Sequence, residues 1–154
     1  MNRLKKDEPV YYNGRFCHGV DDKRRMQVPA KWRPRKAGIE LTLILWPVKS
    51  VGSCVRVLTP LQFARLVLAL EELPNSDPHK VTLRRIIGGG SAQASLDRTG
   101  RICLPEDVAR GAGLNDQAQL VGCINYFEIW NPELFDKVQA VDAVLAPDAF
   151  QLMG

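Results

Sequence analysis

The sequence predicts an α+β protein, mainly β, in which two similar halves interleave into one small pseudo-two-fold β-barrel with helices packed outside. Three observations carry that expectation. First, a ten-residue unit occurs twice, as Val20-Asp-Asp-Lys-Arg-Arg-Met-Gln-Val-Pro29 and as Leu96-Asp-Arg-Thr-Gly-Arg-Ile-Cys-Leu-Pro105. Both copies read apolar, Asp, three variable residues, Arg, apolar, polar, apolar, Pro, and Asp21, Arg25 and Pro29 return 76 positions later as Asp97, Arg101 and Pro105. A tandem unit settles architecture before any local reading. Second, the strand-like runs of either half are too few to enclose a core alone, so the halves have to share one. Third, each half closes with a strand pair and a Pro-led helix, at Thr59-Pro60 and at Asn131-Pro132.

In chain order, residues 1–14 form an N-terminal arm with three cations, Arg3, Lys5 and Lys6. The arm lacks an apolar signal region, and no apolar run reaches membrane-spanning length, so the expectation is a cytoplasmic protein with no membrane partner. The first half-domain covers 15–73. Asn13-Gly14 turns the chain into a strand that ends in the first basic unit. Pro29 suits the first position of a helical turn that Pro34 stops, which brings Lys31, Arg33 and Arg35 near one basic face. Leu41-Thr-Leu-Ile-Leu-Trp46 reads as a strand buried on both faces, and Val55-Arg-Val-Leu58 as another. Thr59 caps a helix through Glu72 that is apolar almost all round, and such a helix wants burial on more than one side.

Residues 74–93 are expected to hold a connecting helix opened by Asp77-Pro78 and a flexible link at Gly88-Gly-Gly-Ser91. That link lacks the Lys-Ser/Thr of a nucleotide-binding loop. Arg84 and Arg85 on the helix read as partners in salt bridges. The second half-domain, 94–146, repeats the plan: a short helix after Pro105 ended by Gly111 and Gly113, then a strand pair from Leu120 to Trp130 bending at Asn125. The closing helix carries an apolar stripe of Leu134, Phe135, Val138, Val141 and Leu145, and residues 147–154 read as a tail. This end is acidic, with Glu133, Asp136, Asp142 and Asp148 against Lys137, so it should face away from phosphates.

Within each ten-residue unit, alternation sends Met26 and Val28, or Ile102 and Leu104, to the core, and Arg25 or Arg101 outward. The aspartate accepts hydrogen bonds from N–H groups two residues on and can orient the arginine four residues later by a charge-assisted pair. Gly100 tolerates positive φ, whereas the first copy has Arg24 there, which either strains the turn or adds a phosphate contact. Lys23, Arg24, Arg25, Arg98 and Arg101, with Lys31 and Arg33 beside them, are therefore the candidate nucleic-acid contacts. Asp21, Asp97 and Gly100 are the residues that shape the turns.

Charge agrees with this. The first 36 residues hold eleven Lys or Arg against four Asp or Glu, while the remainder holds ten against thirteen. The first repeat is thus the electropositive one, as a phosphate-binding lead surface would be.

The twin Asp-x-x-x-Arg turns, each followed by alternating apolar residues and Pro, together with Leu120-Val-Gly-Cys-Ile-Asn-Tyr-Phe-Glu-Ile-Trp130, resemble the MraZ family. The likeness runs from about Phe16 to Leu145. That family comprises bacterial transcriptional regulators built from two AbrB-like, swapped-hairpin half-domains. The resemblance implies binding of double-stranded DNA at direct repeats of a short G-rich box upstream of the cell division and cell wall gene cluster. It also implies a ring-shaped homo-oligomer, an octamer or dodecamer, associated with the nucleoid.

Other chemistry has little purchase here. Cys17, Cys54, Cys103 and Cys123 are scattered in apolar runs without a CxxC, so disulfide and zinc readings fall away. His18 and His79 join no Ser/His/Asp or Cys/His arrangement, so the expectation is no enzyme, no metal, no cofactor and no small-molecule substrate. The rival reading is an antitoxin-like module that binds a protein and not DNA.

Overall fold

The structure is a computed structural model that describes residues 11–154. Arg3, Lys5 and Lys6 of the expected arm lie outside these residues. Eight strands and four α-helices follow in order: β1 Arg15–Gly19, β2 Arg25–Gln27, β3 Leu41–Val48, β4 Gly52–Leu58, α1 Pro60–Glu71, α2 Pro78–Gly90, β5 Ala92–Ala94, β6 Arg101–Cys103, α3 Glu106–Gly111, β7 Gln117–Gly122, β8 Phe127–Trp130 and α4 Pro132–Phe150. A 3-10 turn, Ala30–Trp32, follows β2, and another, Gln151–Met153, ends the chain.

Strand pairing is where the two repeats meet. Among the described residues, six strands form one sheet in the order β1-β7-β8-β4-β3-β5, and β2 pairs with β6 in a separate ribbon. All pairs are antiparallel. In the ribbon, Met26 faces Ile102, its own counterpart in the other copy. In the sheet, Arg56 faces Glu128 at the centre of the β4–β8 ladder. The outer strands are exchanged: β1 of the first repeat pairs with β7 of the second, and β5 of the second pairs with β3 of the first. Neither repeat completes its sheet without the other.

The expected closed barrel is not formed. Among the described residues, β1 and β5 are the edges of the six-stranded sheet, and the three-residue strands β2 and β6 are too short to bridge them. Instead the ribbon lies across one face of the sheet. Alternation along β2 and β6 turns Met26, Val28, Ile102 and Leu104 inward, where they meet Leu43, Val55, Val57, Leu120, Phe127 and Ile129. Trp32 of the 3-10 turn and Val108 of α3 seal this core, and Tyr12 stacks edge-on against Trp32 at 5.8 Å. Fully burying each of these large side chains contributes about 1.5–3 kcal/mol.

The opposite face carries α1, α2 and α4. Phe63, Leu66 and Leu83 of α1 and α2 pack on Ile44 and Leu58, while Leu134, Phe135 and Val138 of α4 pack on Cys54 and Trp130. Between these two patches, Arg56 stacks on Trp46 at 3.8 Å and on Tyr126 at 4.5 Å, and its guanidinium lies 3.2 Å from Glu128. The Trp130 indole N–H donates to the same carboxylate at 3.0 Å. Leu41 to Ile44 of β3 are buried through both faces, because β3 lies between the core and this helical layer.

The caps read from sequence hold: Thr59 Oγ1 accepts from Gln62 N–H, Asp77 Oδ1 from His79 N–H, and Asn131 Oδ1 from Glu133 N–H. Pro29 and Pro105, however, sit at the cap of their short turns and not at the first helical position.

The flexible link at Gly88-Gly-Gly-Ser91 is corrected. Those glycines are the last turn of α2, closed by the Ser91 N–H bond to Ile87 O and anchored by buried Ile87. A capped helix already formed upstream outweighs about 1 kcal/mol per glycine of lost propensity.

The tail is corrected likewise: α4 passes Pro147 and runs to Phe150. Val141 and Leu145 of the expected stripe are exposed, as are Leu61 and Leu68 of α1. Arg84 and Arg85 make no ion pair among the described residues. Of the cysteines, Cys54 is buried and Cys123 half-buried, while Cys17 and Cys103 face outward, as period two requires when their strand neighbours point to the core. No helix among the described residues is long and apolar enough to cross a membrane.

Candidate nucleic-acid interface

Each ten-residue unit builds the same turn with the same bonds. In the first, Asp21 Oδ1 accepts from the N–H groups of Lys23 and Arg25, both at 2.9 Å, and Asp21 Oδ2 accepts from Arg25 Nε at 2.8 Å. In the second, Asp97 Oδ1 accepts from the N–H groups of Thr99 and Arg101, both at 2.9 Å, and Oδ2 from Arg101 Nε at 2.9 Å. The main chain closes both turns identically, with Arg24 N–H to Asp21 O and Gly100 N–H to Asp97 O at 3.0 Å. One carboxylate oxygen thus holds the backbone and the other aims the arginine.

These bonds lower both carboxyl pKa values. The backbone N–H of Arg101 is the largest cause at Asp97, which is brought down to about 2, and the N–H of Arg25 is the largest cause at Asp21. Both aspartates are therefore ionised at any physiological pH, and the arginines keep their partners.

The β2–β6 ladder sets the turns side by side. Arg101 Nη1 lies 4.0 Å from Asp21 Oδ2, so one guanidinium touches the aspartates of both turns. Gln27 Nε2 donates to Thr99 O at 2.8 Å, and the Cys103 thiol donates to Lys23 O at 3.4 Å, which ties each strand to the opposite turn. The arginine side chains of residues 25 and 101 remain 31% and 34% exposed, so both reach solvent. A cleft beside them is lined by His18, Asp21, Arg25, Gln27 and Arg101. His18 Nε2 and Gln27 Oε1 in its wall have no partner among the described residues.

The fourth turn position resolves in an unexpected way. Arg24 does adopt a left-handed φ of 61°, the counterpart of 81° at Gly100. Its Nε donates to Leu104 O at 2.9 Å. The equivalent carbonyl beside the other turn, Val28 O, receives Arg33 Nε at 3.0 Å. Arg33 gets there by lying directly over Gly100, where a Cβ would collide with its guanidinium carbon. One guanidinium therefore caps each carbonyl, supplied from inside the turn at Arg24 and from the neighbouring segment at Arg33. The offset of 76 positions carries a trace of this, since Arg24 matches Gly100 and Arg33 matches Ala109: each large residue faces a small one.

Of the sequence-derived candidates, Arg24, Arg25, Arg33, Arg98 and Arg101 cluster around the ribbon, and Lys23 is exposed at the first turn tip. Lys31 stands apart, with its Nζ 5.2 Å above the Phe16 ring near Gly14. Sequence reasoning missed Gln27 and Cys103 as ties between the turns, and it missed Lys36. The acidic α4 packs on the sheet face opposite the ribbon. Two-stranded ribbons fit the major groove of B-DNA, about 12 Å wide, and arginines aimed outward from one can reach guanine edges.

The family model described as "MraZ protein, putative antitoxin-like" matches residues 87–148. A protein of Thermomicrobium roseum named transcriptional regulator MraZ is 34% identical over 127 residues, covering 78% of this chain and 81% of that protein. Proteins of the same name from Roseiflexus castenholzii and Caulobacter vibrioides are each 32% identical. They cover 84% and 85% of this chain and 88% and 83% of their own lengths.

Proposed function

This chain belongs to the MraZ family, and from that premise we propose that it is a DNA-binding transcriptional regulator which reads double-stranded DNA with the β2–β6 ribbon and its two turns. Arg25 and Arg101 take the base-reading role, each donating two hydrogen bonds to the O6 and N7 edge of a guanine. Lys23 and Arg98 hold phosphates on either side of them. Arg24 and Arg33, already spent on carbonyls through Nε, present only their outer nitrogens to the backbone, and Lys31 gives a more distant phosphate contact.

The observation that carries this reading is the 4.0 Å approach of Arg101 to Asp21, which sets the two arginine-bearing turns side by side as one surface and not two separate loops. Arginine held by carboxylate at Nε is also preorganised, so less side-chain entropy is lost on binding.

The targets proposed are short G-rich direct repeats upstream of the cell division and cell wall genes, met in the cytoplasm at the nucleoid. A ring-shaped homo-oligomer, octameric or dodecameric as the family resemblance implies, would take several boxes at once, each contact after the first being intramolecular. Exposed apolar residues on α1, α2 and α4, Leu61, Ile86 and Val144 among them, lend that assembly support. The swapped-hairpin, AbrB-like class belongs to this reading too, supported by the exchange of β1 and β5 between repeats.

A footprint and a salt titration on the duplex upstream of the protein's own gene test it. Saturable binding with a steep fall in affinity as salt rises is the expected result. Binding that is weak, unsaturable and insensitive to salt would favour the antitoxin-like reading, which the family's description also names.

A further inference from the structure

The two turns are alike, but their surroundings are not. A cleft of about 340 Å³ opens beside the second turn, walled by Arg33, Arg35, Lys36, Arg98, Asp97 and Gly100. Strand exchange creates it, since the first three residues follow the first repeat's 3-10 turn and the last three belong to the second repeat's turn. Four cations face one acid there, and that acid is already committed: Asp97 Oδ1 holds the N–H groups of Thr99 and Arg101, and Oδ2 holds Arg101 Nε. Arg35, Lys36 and Arg98 are exposed and make no ion pair among the described residues. Arg33 is pinned in the wall by its bond to Val28 O.

The pseudo-equivalent position beside the first turn has no such charge. Asp22 stands where Arg98 stands, and the stretch Ala109–Leu114, corresponding to the Arg33–Gly38 loop, carries a single cation, Arg110. That arginine lies 3.8 Å from Glu106. The base-reading surface is therefore close to two-fold symmetric while the charge flanking it is one-sided.

We propose that the Arg33–Arg35–Lys36–Arg98 cleft is a phosphodiester-binding site that grips the DNA backbone on one flank only, and so gives a pseudo-symmetric reader a fixed direction on the duplex. This rests on the DNA reading above and names the contact that orients it. Two equivalent arginines alone fit a site in either orientation. A cationic cleft on one side makes the two orientations unequal, because only one of them lays a phosphate in it.

The experiment is hydroxyl-radical footprinting and a salt titration on the upstream duplex, with the unaltered chain, the Arg35→Ala/Lys36→Ala variant and Arg110→Ala. The double variant should lose protection at one edge of each protected box while keeping the other. Its slope of log K against log salt should flatten by about 2, with roughly 10–50-fold weaker binding near 0.15 M salt. Arg110→Ala should match the unaltered chain. Both edges persisting with the slope unchanged, or both edges weakening together, overturns the inference and leaves DNA binding standing. No saturable binding by the unaltered chain overturns the DNA reading and this inference with it. The substituted side chains are exposed, and an unchanged melting temperature confirms that folding is not the cause of any loss.

Discussion

The turn at Asp21–Arg25 and the turn at Asp97–Arg101 reach the same geometry with different residues at every variable position. Asp22, Lys23 and Arg24 in one are Arg98, Thr99 and Gly100 in the other. Matching N–H bonds to the aspartate, within 0.1 Å of each other, show that the skeleton of Asp and Arg four apart is enough to set the bend. What the variable positions decide is how the neighbouring carbonyl is capped and how much charge surrounds the arginine. The first turn caps with its own Arg24; the second leaves room at Gly100 for Arg33 and sits beside a basic cleft.

The largest test of that comparison removes what the turns share. Arg25→Ala and Arg101→Ala should each weaken specific binding by about 1–3 kcal/mol, and together abolish discrimination between the upstream duplex and random DNA. Fluorescence anisotropy with both duplexes measures this. An Arg101 variant that bound as tightly as the unaltered chain would remove that residue from base reading.

A second test exchanges what the turns do not share. Gly100→Arg forces a side chain into left-handed backbone and into Arg33, at a cost of about 1–3 kcal/mol. Removing the competing group should recover part of it: Gly100→Arg/Arg33→Ala recreates the first turn's solution, with the new arginine inside the turn reaching Val28 O. A thermal or denaturant double-mutant cycle should show coupling of about 0.5–3 kcal/mol. Strict additivity would mean that the two caps are not equivalent.

Acid offers a gentler probe. Because the folded-state pKa values of Asp21 and Asp97 lie below the ordinary 3.8, these carboxylates add stability that is present above that value. The second turn's share is lost as pH falls from 3.8 toward about 2. Arg25 and Arg101 Nε–H signals followed by NMR should stay protected from exchange down to about pH 4 and lose protection only below it. Loss nearer neutrality would show that something other than the aspartates holds the arginines.

The smallest effect belongs to the turn tip. Lys23→Ala should flatten the salt slope by about 1 with little change in sequence preference.

Much of the turn was legible in the chain because its bonds are local. An aspartate, an N–H two residues on and an arginine four residues on are joined by short covalent distance, so residue order alone brings them together. The alternation that sent Met26, Val28, Ile102 and Leu104 inward and Arg25 and Arg101 outward was equally readable, being a period of two. Gly88–Gly90 misled because composition argued for a link, whereas a helix started at Asp77 and anchored by Ile87 simply continued. Lys31 is next to the basic unit in sequence but stands apart from the ribbon in space, with its ammonium over Phe16.

By itself, then, the sequence determined a doubled motif, the shape of each turn, the inward faces of the short strands and the helix starts at Thr59, Asp77 and Asn131. Only the tertiary structure decided that β1 pairs with β7 and β5 with β3, that the ribbon covers an open sheet, and that Arg33 lies over Gly100. The reason is range. Bonds across two to four residues follow from the backbone's few soft dihedrals, while pairing between residues about a hundred positions apart is selected by burying the apolar faces of both repeats in one core. The basic cleft is a product of that second kind of choice, since its two walls come from different repeats.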